Sequence, residues 1–126
     1  MSRITEIEIA GRKYPLNFSV KAAKEVAKRY GDITNIDKAF DNKTLDEMMD
    51  EATWILALLI EQGVAYKKVM DGEDIKALTK EELEVVMGVV DFTDIKETLL
   101  SAMTAGMKRE VEVEQDPKNA KTTQDK

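Results

Sequence analysis

The sequence predicts an α+β domain, predominantly α-helical: an N-terminal β-hairpin over residues 4–18, four to five helices over 19–107, and a disordered polar tail over 108–126. Three observations predict it. Two-residue alternation of apolar and polar side chains occupies the first 18 residues. Helical spacing with recognisable caps then recurs from Ser19 to Gly106. After Met107 the only apolar residues are Val111, Val113 and Ala120, so burial cannot offset the entropy of ordering that segment. With 126 residues, 43% of them apolar, the chain can bury one modest core and not two.

The elements follow in order. Ile7 and Ile9 alternate with Glu6 and Glu8, and Tyr14, Leu16 and Phe18 alternate with Pro15 and Asn17. Ala10-Gly11-Arg12 between them reads as the turn, which gives a small hairpin with one apolar face. Ser19 is a helix N-cap, followed by Val20, Ala23, Val26, Ala27 and Tyr30 at helical spacing. Lys28 and Arg29 complement the last turn, and Gly31 stands just beyond it. From Asp32 to Lys43, Ile36, Ala39 and Phe40 support one or two helical turns.

Thr44 and Glu47 form a capping box that opens the longest helix. Leu45, Met48, Met49, Ala52, Ile55, Leu56, Leu59 and Ile60 share one broad face, while Trp54, Ala57 and Leu58 fill in the rest of the circumference. A helix apolar nearly all round is either central and buried or exposes a surface to a partner, and the sequence leaves both readings open. Gly63 and Val64 loosen the pattern, and the helix is expected to end by Met70 to Gly72. Thr79 with Glu82 is a second capping box, for a helix carrying Leu83, Val86, Met87 and Val90. Val89 to Thr93 interrupts it. Asp91 or Thr93 then caps a last helix with Ile95, Leu99, Leu100, Met103 and Met107 inward and Gly106 near its end.

Composition excludes much chemistry. The chain has no cysteine and no histidine, which removes disulfides, thiolate nucleophiles, the usual general base and the commonest metal ligands. Carboxylate-bound magnesium and paired carboxylates remain formally open. Asp71-Gly72-Glu73-Asp74 hints at a calcium loop, but Glu73, Ile75 and Lys76 occupy its third, fifth and sixth positions, where an EF-hand needs oxygen ligands and then glycine. Glu81, Glu82 and Glu84 suit the positive end of a helix and need no metal. No glycine-rich phosphate cradle is present. The reading is therefore not an enzyme, with no cofactor, metal or catalytic residue.

The formal charge is −6, and the tail is balanced by five basic and five acidic side chains, so the imbalance lies in the body. An acidic body repels phosphate backbones, which argues against nucleic acid. The longest apolar run, Trp54 to Ile60, is seven residues, against the roughly 20 a membrane span requires. No apolar signal segment opens the chain, and the expectation is a cytoplasmic protein without membrane contact. A chain with 7 methionines can offer an adaptable binding face. Trp54, Leu58, Met103 and Met107 are the candidates for a partner interface. Val111 and Val113, set between glutamates, could add a strand to a partner's open edge.

The opening block runs from an alternating strand through Gly11-Arg12-Lys13-Tyr14 to Pro15-Leu16-Asn17-Phe18, then Ser19 and a helix closing on Lys28-Arg29-Tyr30-Gly31-Asp32. Over residues 4–32 it resembles the tail assembly chaperones of long-tailed bacteriophages and prophages. Beyond that block only size, helical content, acidity and a polar tail agree. The resemblance implies a protein of the infected bacterium's cytoplasm that binds the tape measure protein, helps tail tube protein polymerise around it, and is absent from the mature virion. It also implies possible homo-oligomers, and in many members a longer product made by a −1 ribosomal slip. Pro117-Lys118-Asn119 is compatible with a slippery heptanucleotide of codons ending A, then AAA, then AAC. Two rival readings are a head-tail connector or completion protein that stays in the particle, and a small acidic regulator that binds a host protein.

Overall fold

The computed structural model describes residues 3–107, the side chains of residues 33–35 excepted. The predicted tail, with the Val111/Val113 strand and Pro117-Lys118-Asn119, lies outside the described residues. Within them an antiparallel hairpin is followed by four α-helices and two 3₁₀ turns.

Strands β1 (Thr5–Ile9) and β2 (Arg12–Leu16) pair from Thr5↔Leu16 to Ile9↔Arg12. Arg12 thus belongs to the strand, and the turn is only Ala10 and Gly11, with φ of 52° and 80°. Left-handed geometry at both positions matches the twist of the flanking strands. Glycine adopts it freely, whereas alanine is strained by about 1 kcal/mol. Ala10→Asn, which tolerates this geometry, is expected to raise stability by about 0.5–1 kcal/mol in urea denaturation. An unchanged midpoint would contradict a strained turn.

Alternation holds on β1, where Ile9 is buried and Glu6 and Glu8 are exposed. It fails beyond Lys13: Tyr14, Pro15, Leu16, Asn17 and Phe18 are all buried, so the expected single apolar face is corrected to a segment enclosed on both sides. The cause is helix α2 (Leu45–Asp71), which lies directly against it. Asn17 donates its backbone N–H to the Leu59 carbonyl (3.1 Å) and its side-chain amide to the Gln62 carbonyl (3.3 Å). Counting alternately from the closing pair Ile9↔Arg12, Pro15 falls at a non-hydrogen-bonded site, where the missing N–H costs the ladder nothing.

Helix α1 (Val20–Tyr30) begins and ends where its caps place it. The Ser19 hydroxyl accepts from the Ala22 N–H (3.1 Å) and donates to Gln62 Oε1 (2.6 Å), tying the cap to α2. Only Ala22 and Val26 are buried; Val20 stands out in solvent. The segment Ile33–Ala39 forms a 3₁₀ turn that buries Ile36 and Ala39.

Helix α2 is the central element. The Thr44/Glu47 capping box is reciprocal, with bonds of 3.2 and 3.1 Å, and Gly72 closes the far end at φ 71°. Ala52, Ile55, Leu56, Leu59 and Ile60 are fully enclosed. Helix α3 (Lys80–Val86) is shorter than its spacing suggests: Leu83 is its buried residue, while Val86 and Val90 face solvent. A 3₁₀ turn at Val89–Phe92 ends the pattern and turns Phe92 inward. Asp91 accepts the Gly88 N–H (2.7 Å) and Thr93 donates to the Val90 carbonyl (2.8 Å), so both serve this turn. The N-cap of helix α4 (Ile95–Gly106) is instead Asp94, without a side-chain capping bond. Ile95, Leu99, Ala102 and Met103 complete the core.

Candidate functional site

Helix α2 is enclosed on one arc and open on another. Trp54, Ala57, Leu58 and Glu61 are spaced three, four and seven residues apart, hence on one face, and they floor a groove of about 490 Å³. Lys21 and Glu25 of α1 form one wall. The other is the stretch Ala77 to Lys80, which leads into α3. Trp54, Ala57, Leu58, Ala77 and Leu78 make most of the lining apolar, and the charged part of it is Lys21, Lys80, Glu25 and Glu61.

Trp54 is held in place by the end of α1. The Tyr30 ring meets it edge-on, with centroids 6.1 Å apart and planes at 85°. The Arg29 guanidinium lies 4.4 Å from its centroid. Arg29 also donates to both Glu51 carboxylate oxygens, at 3.0 and 3.4 Å, and the Tyr30 hydroxyl donates to the same carboxylate. Cation–π and partly exposed ion-pair contacts each contribute on the order of 1 kcal/mol or less. Their main effect is therefore orientation of the indole, so that one side packs and the other faces the groove.

This cluster shifts its own acidities. Burial works to raise Glu51, but hydrogen bonds from Arg29 and Tyr30 and the nearby positive charge outweigh it, and its carboxyl sits below the ordinary range. Burial and the Glu51 hydrogen bond push the Tyr30 hydroxyl up. Next to Glu51 in sequence, Asp50 is lowered in the same sense, chiefly by a hydrogen bond from Lys80 (2.6 Å) and also by the charges of Lys80 and Arg29. A carboxylate whose folded pKa is depressed adds stability above its unfolded pKa and loses it as pH falls through the folded value. The thermal midpoint is therefore expected to fall below about pH 4, where free carboxyls protonate. Glu51→Gln should flatten that fall, and a variant with the wild-type acid profile would rule the cluster out as its source.

Of the residues singled out from sequence, Trp54 and Leu58 line the groove together. Met103 does not belong to an open face: it is 4% exposed within the core, because its turn of α4 packs inward. Met107 is exposed at the end of α4 but does not line the groove. Ala77 and Leu78 were not legible as site residues, since an extended connector carries no periodicity to mark its inner side. Among the described residues no three of His, Cys, Asp or Glu converge to hold a metal ion, and no helix is long and apolar enough to cross a membrane. Comparison of the chain with family models, with curated proteins and with solved structures finds no match. The groove's chemistry is that of contact: an apolar floor for burial and a mixed-charge rim for register.

Proposed function

We propose that this chain is a non-catalytic tail assembly chaperone that binds the tape measure protein, promotes tail tube assembly in the host cytoplasm and is absent from the finished virion. The observation that carries the reading is the groove along α2, where Trp54 and Leu58 stay partly exposed beside the fully buried Ile55, Leu56, Leu59 and Ile60. A tape measure helix presents apolar stripes before the tube encloses it, and a groove of this kind shields such a stripe reversibly. The block resembling tail assembly chaperones supports the same reading, because it supplies one wall of the groove, Lys21 and Glu25, and its Arg29-Tyr30 orient Trp54.

Co-expression of the affinity-tagged chain with the tape measure protein encoded beside it tests this. The expected result is a soluble tape measure protein retained with the chain, loss of retention in Leu58→Glu, and no chain detected by mass spectrometry of purified particles. A fixed copy number in the particle would establish the connector reading instead. Retention of a host protein with no tape measure protein would establish the regulator.

A further inference from the structure

A second cleft lies end to end with the first along the same face of α2. Asp46, Met49, Asp50 and Thr53 continue the stripe that Trp54, Ala57, Leu58 and Glu61 complete, and across from them stand Glu84, Met87, Val89 and Phe92. The cleft encloses about 360 Å³, within the range of about 300–1,000 Å³ typical of binding pockets. Its floor is soft, built from Met49, Met87 and the Phe92 ring with the exposed Val89 at its edge, and methionine side chains re-pack readily around different guests.

The rim differs in kind from that of the first groove. It carries three carboxylates, Asp46, Asp50 and Glu84, and no basic residue lines it. Two of the three are bonded to Lys80, whose ammonium donates to Asp50 (2.6 Å) and Glu84 (2.8 Å) and so forms the ridge between the two clefts, and the charge of Arg29 also reaches Asp50. Asp46 has no ion-pair partner among the described residues. From residue 81 to 97 the chain adds Glu81, Glu82, Asp91, Asp94 and Glu97 against Lys96 alone. Val85, Val89 and Val90 are 82%, 67% and 80% exposed in that acidic setting. An apolar floor ringed by one sign of charge selects a guest that is apolar with the opposite charge beside it. It rejects acidic segments, including the same rim on a second copy of this chain.

We propose that this cleft docks a basic amphipathic helix of a partner protein, its large apolar side chain on the Met49–Phe92 floor and a Lys or Arg one turn away between Asp50 and Glu84, in the place Lys80 now holds. Lys80 is then a resident placeholder that a partner's cation displaces. The surface is distinct from the Trp54 groove and does not depend on what that groove binds.

The test titrates the full-length ¹⁵N-labelled chain with an amphipathic Leu/Lys peptide of about four helical turns, and with its Leu/Glu counterpart. The Leu/Lys peptide is expected to move the amides of Met49, Met87, Val89 and Phe92, and the Leu/Glu peptide to leave them in place. Lys80→Met frees two carboxylates and should tighten binding by about fivefold, while Asp46→Asn combined with Glu84→Gln should weaken it by about tenfold. Lys24→Met makes the same change in net charge on an exposed position of α1, and should alter affinity by less than about twofold.

Equal tightening by Lys24→Met and Lys80→Met would reduce the effect to net charge and overturn the proposal. So would shifts at Trp54 and Leu58 alone, which would leave the first groove standing and this one without a guest. Movement of the same amides on dilution of the peptide-free chain would show a second copy covering the cleft, and would overturn it as well.

Discussion

Gly63→Ala destabilises the protein by about 3 kcal/mol or more, although the same exchange in the middle of a free helix is worth about 1 kcal/mol in the opposite direction. The reversal follows from where α2 meets the hairpin. A Cβ built on Gly63 would stand 2.0 Å from the Pro15 carbonyl oxygen, 2.4 Å from its carbon and 2.9 Å from the Leu16 nitrogen. All three are backbone atoms, so no side chain can rotate away. Pro15 and Leu16 are held by pairing with β1, and Asn17 is bonded to the carbonyls of Leu59, one turn before Gly63, and of the adjacent Gln62. Relief requires the hairpin to lift off the helix, which uncovers Tyr14, Leu16 and Phe18 together. Urea denaturation of the full chain followed by Trp54 fluorescence measures the loss. A synthetic peptide of residues 44–72 carrying the same change should gain helicity in parallel. A neutral or stabilised full-length variant would mean that the hairpin does not sit at this distance.

Gly106→Ala meets a similar contact, 2.4 Å from Phe18 Cβ and 2.8 Å from its carbonyl oxygen. Gly106 is the last residue of α4, where the chain can shift, and a smaller loss is expected there. The two glycines bracket the link from β2 to α1, letting α2 and α4 close on it from either side.

Leu59→Ala costs about 3–5 kcal/mol, the upper part of the range for emptying an enclosed leucine site. Leu59 is 0% exposed at the centre of α2, and its carbonyl holds Asn17. Its surroundings are pinned by the Asn17 and Ser19 bonds, so collapse into the vacated space is restricted. Leu58, the preceding residue, lines the groove and is only half-buried. Leu58→Ala should lower stability by about 1 kcal/mol, in proportion to the smaller area it removes from burial, yet abolish retention of the tape measure protein under the function proposed above. Chemical denaturation and pull-down on the same pair separate the two roles. Equal losses of stability would show Leu58 to be a core residue, and intact retention in Leu58→Ala would remove the groove from the binding surface.

Local chemistry carried much of this architecture. Ser19 and Gly31 bound α1, the Thr44/Glu47 and Thr79/Glu82 boxes open α2 and α3, and Gly72 closes α2, because a cap joins residues within one turn of each other and its signal stays in the sequence. Alternation on Ile7 and Ile9 marked β1 for the same reason. The misreadings arise where a distant element intervenes. Pro15 and Asn17 look outward by period but are buried, since α2 covers the second face of β2. Val86 and Val90 have helical spacing but face solvent, since Phe92 takes the inward position and ends the pattern. Met103 and Met107 share a helical stripe, yet only Met107 is open.

Sequence alone determined that this is a hairpin followed by capped helices, that the middle of its longest helix is apolar nearly all round, and that histidine and cysteine chemistry is absent. Tertiary structure decided which arc of that helix stays open. Asn17 and Ser19 reach Gln62 across 45 and 43 residues, and Lys80 reaches Asp50 across 30. A side chain's exposure is set by what packs over it, and contacts closed over such separations leave no periodic trace in the chain that makes them.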